Sequence, residues 1–315
     1  MKNQNAEIIF MEPVFKQMIW GGSRLAREWG YNIPGEDTGE CWGVCAHPHG
    51  DCTIINGVYK GITLSKLWTN HRELFGGVDG DKFPLLTKII DANADLSIQV
   101  HPNDEYARIN ENGAMGKTEC WYILDASEDA TIIVGHNAKD RQELSDMITN
   151  GRWNEFIREI PIKKGDFIQI EPGTVHAIKS GTLLLETQQN SDITYRVYDY
   201  DRLSNGKPRE LHIDKSIDVI TVPAKKSEEC IINVSNDCNN NMNLMIDCDC
   251  YKVWKICVDR EIEFIQDNPF MIMSVISGKG YIDGKMIKKG DHFILPYQYG
   301  NVSIKGELEI IASSV

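Results

Sequence analysis

Positive charge is scarce in this 315-residue sequence: 33 Lys and Arg stand against 46 Asp and Glu, a formal charge of -13. No basic stripe interrupts that balance, which argues against a phosphate-backbone surface and so against nucleic acid as a partner. No helix-turn-helix segment or basic arm is evident. Apolar runs all fall well short of the about 20 residues that a bilayer span requires. The stretch Met1 to Glu7 leads only into a short apolar patch, without the core of a signal peptide. These absences predict no membrane partner and a cytoplasmic location. Cysteine pairs at CxxC spacing are also missing. The nine cysteines are odd in number and scattered, as expected of buried thiols in a reducing compartment. Cys248 and Cys250 lie close together but have no second pair at zinc-finger spacing, so they read as structural.

What is present is a chain able to fold, 42% hydrophobic and 25% charged, and long enough for about two units at roughly 150 residues each. Short strand-like segments bounded by Gly, Pro, Asn or Asp dominate: Thr53 to Ile55, Leu96 to Val100, Trp121 to Leu124, Thr131 to Val134, Asp166 to Ile170 and Leu183 to Thr187. That cadence predicts a mainly β protein, a sandwich or barrel. Helical spacing of apolar residues breaks it twice, at about 61-76 and about 139-158, which read as helical insertions on a β core. Between 226 and 250 the chain turns polar, with Asn236, Asn239, Asn240, Asn241 and Asn243 close together, and reads as a linker or exposed loop. The expected division is 1-225 as the main domain and 251-315 as a second, small β domain docked on it. An internal echo supports two related units. Lys163 to Pro172 resembles Lys288 to Pro296, each a strand entered through a Gly-Asp turn and closed by Pro. Four residues beyond that Pro stands His176 in the first copy and Gly300 in the second, so the second copy keeps the scaffold and lacks the ligand.

The segment Ser97-Ile98-Gln99-Val100-His101-Pro102 places an amide and an imidazole on one strand face, because residues i and i+2 point the same way. Glu119, in Lys117-Thr118-Glu119-Cys120-Trp121, and His176, in Pro172-Gly173-Thr174-Val175-His176, extend the set. Gln99, His101, Glu119 and His176 together would suit zinc or a similar divalent ion. His47 and His49 share the i, i+2 spacing, but the intervening Pro48 and following Gly50 suggest a loop.

With Ser191-Asp192-Ile193-Thr194-Tyr195-Arg196, with Trp20-Gly21-Gly22 and with Gly39-Glu40-Cys41-Trp42, these segments resemble those of the type I mannose-6-phosphate isomerases in their short bacterial form. The likeness covers most of the chain through Arg202 and weakens after the polar stretch. It implies a cupin (jelly-roll β-barrel) catalytic domain with helical insertions, plus a second, degenerate cupin-like β domain. It implies one zinc ion per chain held by His101, Glu119 and His176, with Gln99 as fourth ligand. The implied reaction interconverts mannose 6-phosphate and fructose 6-phosphate, so the partner is a small sugar phosphate.

Such an isomerisation moves a proton between C1 and C2 through an enediol and needs a base and nearby positive charge. The resemblance places the family's active-site arginine at Arg196. Glu186, on Leu183-Leu184-Leu185-Glu186-Thr187, is the candidate base, its pKa raised by burial among leucines. A zinc-bound hydroxide or Lys88 would serve equally, and Glu186 would also suit orienting a zinc histidine. Ser97, Lys117 and Arg202 resemble positions that longer members use for substrate or phosphate contacts. Here Arg202 stands where those members carry lysine, and Ile178 where they carry tyrosine. Two other readings use the same residues: another cupin metalloenzyme, such as an iron-dependent oxygenase, with His101, Glu119 and His176 as its facial triad, and a non-catalytic sugar-phosphate-binding cupin.

Overall fold

The computed structural model describes residues 7-204, 206-232, 234 and 239-315. Three antiparallel sheets carry the fold. A seven-stranded sheet runs in the order Ile231–Ile232, Phe167–Ile170, Glu119–Asp125, Thr182–Gln189, Leu85–Ala92, Val14–Gly22, Thr38–Val44. A five-stranded sheet faces it, in the order Ile157–Pro161, Thr131–His136, His176–Ile178, Ile98–Val100, Tyr195–Tyr198. Their inner faces meet in one apolar core, with Trp121, Ile168 and Leu184 from the first against Ile132, Val134 and Ile178 from the second. The two sheets are thus the halves of a barrel.

Every residue of Leu85–Ala92 and of Thr182–Gln189 is buried. One face of these strands lines the barrel, and the other packs on the third sheet through Leu85, Ile89 and Leu185 against Ile272, Ile294 and Ile311. Strands covered on both faces lose the in-out alternation of a surface sheet and read as continuous runs. The third sheet has nine strands, with Gly300–Ser314 and Met271–Ile282 at its centre. It folds around a separate core that includes Ile256, Met273, Phe293, Ile304 and Ile310. That second interior is filled by apolar side chains, as expected of a copy without ligands.

The two turns of the internal echo are alike. In each, the Asp carboxylate accepts from the backbone N–H three residues earlier, Lys163 N to Asp166 Oδ2 and Lys288 N to Asp291 Oδ2, both at 2.8 Å. In each the glycine before it has positive φ, 91° at Gly165 and 94° at Gly290, which L side chains rarely adopt.

Helices occur where the periodicity placed them. Leu64–Asn70 and the 3-10 turn Arg72–Phe75 bury Leu67, Trp68 and Phe75 against Phe83 and Phe270. Arg141–Thr149 starts at Asp140, whose side chain accepts from Glu143 N. It covers the outer face of the five-stranded sheet together with Trp153–Phe156. None of the helices in the described residues is long and apolar enough to cross a membrane.

The 226-250 stretch departs from the linker expectation. Ile231–Ile232 pairs with Phe167–Ile170, and Asn241–Asp247 pairs along Lys252–Val258. The latter is an edge strand in which Met245 alone is buried, and its alternating Met242, Leu244 and Ile246 sit among the asparagines that set the composition of the stretch. Asn236 lies outside the described residues, as do residues 1-6. The division between units is also crossed by the chain. Ile9–Glu12 and Thr53–Ile54 belong to the third sheet, with Ile9 opposite Ile294.

His292, fully buried, joins this region to the first barrel. Its Nδ1 lies 2.8 Å from Ser274 Oγ and its Nε2 3.0 Å from the Tyr31 hydroxyl. Burial pushes its pKa down to about 4, against about 6.5 for a histidine in an unfolded chain. On acidification the unfolded chain therefore takes the proton first. Stability is expected to fall between pH 6.5 and 4, by about 3 kcal/mol from this group, and to level off below. Urea melts across that range test this: His292→Gln should reduce the pH slope by close to one proton, and an unaltered slope would refute it.

Candidate active site

The side chains singled out in the sequence converge at one end of the barrel, where three strands of the five-stranded sheet lie side by side. His176 is opposite Gln99, and Gln99 is opposite Arg196. His101 directly follows the Ile98–Val100 strand, and its carbonyl accepts from Gly173 N at 2.9 Å, tying it to the turn that presents His176. Gly173 has φ of 82°, and a Cβ there would lie 2.4 Å from Thr221 Oγ1 and 2.8 Å from Val219 O, so the turn demands glycine. Glu119 enters from the opposing sheet as the first residue of Glu119–Asp125.

His101, Glu119 and His176 are buried, and one ligand atom from each lies within 4.8 Å of the others. Glu119 Oε2 is 3.4 Å from His101 Nε2, and Oε1 is 3.3 Å from His176 Nε2. The hydrogen bonds fix the tautomers. His101 Nδ1 is 2.8 Å from Ile193 O and His176 Nδ1 is 2.9 Å from Thr174 O. Carbonyls only accept, so both Nδ1 atoms carry protons and both Nε2 lone pairs face Glu119. Burial pushes both imidazoles down, His101 to about 3, with the Lys117 ammonium adding to the effect there. Neutral rings with lone pairs converging beside a buried carboxylate are a divalent-cation donor set. Neither Glu119 oxygen has a hydrogen bond of good geometry, and among the described residues the only protein cation beside the carboxylate is the Lys117 ammonium, on the Oε2 side, which leaves Oε1 open to a cation. Burial alone would raise its pKa, but the Lys117 ammonium holds it well below the usual carboxylate range. Gln99 brings its amide nitrogen to 3.2 Å from His176 Nε2, and rotating the amide by 180° puts the oxygen there instead.

In front of this group opens a cavity of about 250 Å³. Ser97, Gln99, Lys117, Glu186 and Arg196 all line it. Lys117 Nζ lies 2.7 Å from Glu119 Oε2 and 3.2 Å from His101 Nε2. Glu186 is buried on the central strand, its Oε2 accepting from Trp121 Nε1 at 3.1 Å and its Oε1 3.2 Å from Lys88 Nζ. Burial and then the Glu119 charge push its pKa up, against the pull of Lys88. It makes no hydrogen bond to a histidine, so nothing in the geometry supports the orienting role. Lys88 is held above its ordinary range, Glu40 and Glu186 more than offsetting the effect of burial. Placed 3.2 Å from Glu186 and 3.9 Å from Glu40, it balances their charge. Trp20 is buried and also lines the cavity.

Arg202 is the predicted residue that this arrangement does not bring to the cavity. Its Nε donates to Asp199 O at 3.2 Å, its Nη2 to Asp199 Oδ1 at 2.6 Å and its Nη1 to Asp95 O. Arg209, which no pattern in the sequence marks, lines the cavity in its place, as does Glu40 from the N-terminal region. His47 and His49 have a partner that the sequence did not suggest. His49 Nδ1 is 2.5 Å and His47 Nε2 3.5 Å from the two oxygens of Asp192. His47 Nδ1 accepts from His49 N at 3.2 Å, so neutral His47 carries its proton on Nε2, toward Asp192. The three form a hydrogen-bonded cluster at the rim, without the converging lone pairs of the buried set.

Known proteins resemble this chain along nearly its whole length. Residues 8-125 match the family described as "Phosphomannose isomerase type I, catalytic domain", and residues 240-315 match "Mannose-6-phosphate isomerase, cupin domain". Mannose-6-phosphate isomerase ManA of Bacillus subtilis is 51% identical over 98% of both chains. Mannose-6-phosphate isomerase of Streptococcus mutans is 44% identical over 98% of both. The crystal structure of mannose 6-phosphate isomerase from Bacillus subtilis superposes with a TM-score of 0.90 at 49% identity, covering 98% of this chain and 99% of that one. At 18% identity, a putative mannosephosphate isomerase from Archaeoglobus fulgidus shares the fold with a TM-score of 0.79. With near-complete coverage at about half identity, and the same mainly β cupin architecture, this chain belongs to the type I phosphomannose isomerase family.

Proposed function

We propose that the protein is a cytoplasmic, zinc-dependent enzyme that interconverts mannose 6-phosphate and fructose 6-phosphate through an enediol. The observation that carries this reading is the pairing of a preset donor set with a buried carboxylate in one cavity. His101 and His176, each locked by a carbonyl at Nδ1, and Glu119 would hold the zinc ion, with Gln99 as the fourth donor. Bound zinc supplies Lewis-acid polarisation of substrate oxygens.

Glu186 is the base in this reading. It lines the cavity and its pKa is shifted up toward the range useful for proton transfer near neutrality. Its carboxylate takes the proton from one of the two reacting carbons and returns it to the other. Lys88, 3.2 Å away, keeps Glu186 ionised enough to accept it. Arg196 supplies positive charge for the oxygen on which charge develops, its guanidinium keeping its proton throughout. Lys117 holds the Glu119 carboxylate in place, and Ser97 offers a hydroxyl to the sugar.

The test is isomerisation of mannose 6-phosphate by purified protein before and after chelation. Activity should vanish with chelator and return with zinc. Turnover that survives complete metal removal would refute the metal requirement, absence of turnover with zinc bound would refute the isomerase reading, and restoration only by iron with oxygen consumption would point to an oxygenase.

A further inference from the structure

The cavity wall beyond Gln99 carries more positive charge than its protein partners neutralise. Tyr195–Tyr198 is the outermost strand of its sheet, and Arg196 stands two strands from His176, or about 10 Å at the usual inter-strand spacing. The chain then turns through the hairpin Leu203–Ser204 and Lys207–Pro208 and brings Arg209 to the same wall. Asp199, 3% exposed, lies between Arg202 and Arg209 and accepts from both. Burial alone would raise its pKa, but the two guanidiniums hold it below its ordinary range. One carboxylate thus serves three guanidiniums, those of Arg196, Arg202 and Arg209. Asp192, also in the lining, is committed to His47 and His49, and the Glu210 side chain is 83% exposed. The three guanidiniums outnumber Asp199, an excess of positive charge suited to a phosphate monoester, which carries about -1.5 to -2 near neutral pH.

The three arginines differ in what they have left to offer. Arg202 has Nε, Nη1 and Nη2 all hydrogen-bonded to protein oxygens and lies over the Tyr200 ring. Arg196 donates Nη1 to Glu210 O at 2.8 Å, while its buried Nε has no hydrogen-bond partner among the described residues. Arg209 sets one edge of its fork, Nε and Nη2, on Asp199, which leaves Nη1 without a hydrogen-bond partner among the described residues. A guanidinium fixed along one edge presents the rest of its donors without further loss of side-chain freedom.

Resting on the isomerase reading, we infer that Arg209, positioned by Asp199, takes the phosphate group of the substrate, and that Arg202 anchors Asp199 and does not touch the substrate. The phosphate then sits on the far side of Gln99 from His176, and the reacting carbons lie toward Glu186.

The experiment compares wild type, Arg209→Gln and Arg209→Lys in the zinc-loaded protein. It measures KM and kcat for mannose 6-phosphate and the inhibition constant of inorganic phosphate as competitor. Arg209→Gln should raise both KM and the phosphate inhibition constant about 10- to 100-fold, the worth of a charge-assisted hydrogen bond, with kcat within about threefold. Arg209→Lys, which keeps the charge and loses the fork, should raise both by a smaller factor, about three- to tenfold. Wild-type values of KM and inhibition constant in either folded variant would overturn the assignment, as would a loss confined to kcat. Absence of turnover in the wild type refutes the isomerase reading instead, so the two failures are told apart.

Discussion

Replacing Glu119 by Gln is expected to strip the protein of bound divalent metal and to lower kcat/KM at least about 10³-fold, more than the 10- to 100-fold typical of changes outside the ligand set. The substitution keeps the shape and removes the one negative charge among the candidate ligands. His101 Nε2 and His176 Nε2 lie 3.4 and 3.3 Å from its two oxygens. Two neutral imidazoles and an amide bind a dication far more weakly than a set that includes a carboxylate. Elemental analysis of the dialysed protein, read beside the isomerisation rate, decides the matter. A Glu119→Gln protein with wild-type metal content would show that the cation sits elsewhere. Stability adds a separate signature. Lys117, buried and 2.7 Å from Glu119 Oε2, would be left as an uncompensated charge, which costs about 3-5 kcal/mol. The double variant Glu119→Gln with Lys117→Met should recover the melting temperature and not the activity.

The second large effect is expected from the buried group on the opposite wall. Glu186→Gln should lower kcat about 10²- to 10⁴-fold, the usual contribution of a positioned base, with little change in KM. Lys88→Met should act on the same step by another route. Without the ammonium, which lies 3.2 Å from Glu186 and 3.9 Å from Glu40, the buried Glu186 and the partly buried Glu40 lose their counter-charge. The pKa of Glu186, already raised by burial, must rise further, because the charged form loses its stabilising neighbour. A base is active when deprotonated, so the acidic limb of the kcat profile should move to higher pH in Lys88→Met. If Glu186→Gln keeps kcat within tenfold, the base lies elsewhere. If Lys88→Met leaves the acidic limb in place, the Lys88 ammonium does not govern that titration.

The donor set was legible because strand alternation is a local rule. Gln99 and His101 share a face in any strand that holds them, and His176 stands at a Pro-Gly turn whose glycine the geometry demands. Two helical regions were legible for the same reason, Trp68 and Phe75 recurring at helical spacing in the first, whereas the short helices Asp104–Asn110 and Ile213–Val219 were not read. What escaped depends on partners distant in the chain. Arg209 has no periodic neighbours, and its place is set by side-chain bonds to Asp199 ten residues earlier. Arg202, nearer in sequence to Arg196, is turned away by the same carboxylate. Asp192 meets His49 across 143 positions, a contact that no window of sequence contains. The Asn-rich stretch concealed a strand because its polar composition outweighs the short alternation of Met242, Leu244 and Ile246, of which none is fully buried.

The pairing of Ile9 with Ile294 bears on how the protein is made. Strand Ile9–Glu12 leaves the ribosome about 280 residues before its partner, and at the usual 5-20 residues per second it waits roughly 15-60 s with an open edge. For that interval its apolar side chains have no sheet to join, and the exposed strand is a target for chaperones or for a neighbouring nascent chain. The first barrel cannot complete its outer layer until the last strands arrive. The two units therefore mature together, and a fragment ending near residue 225 would carry the donor set while leaving its first strand without the partner that buries it.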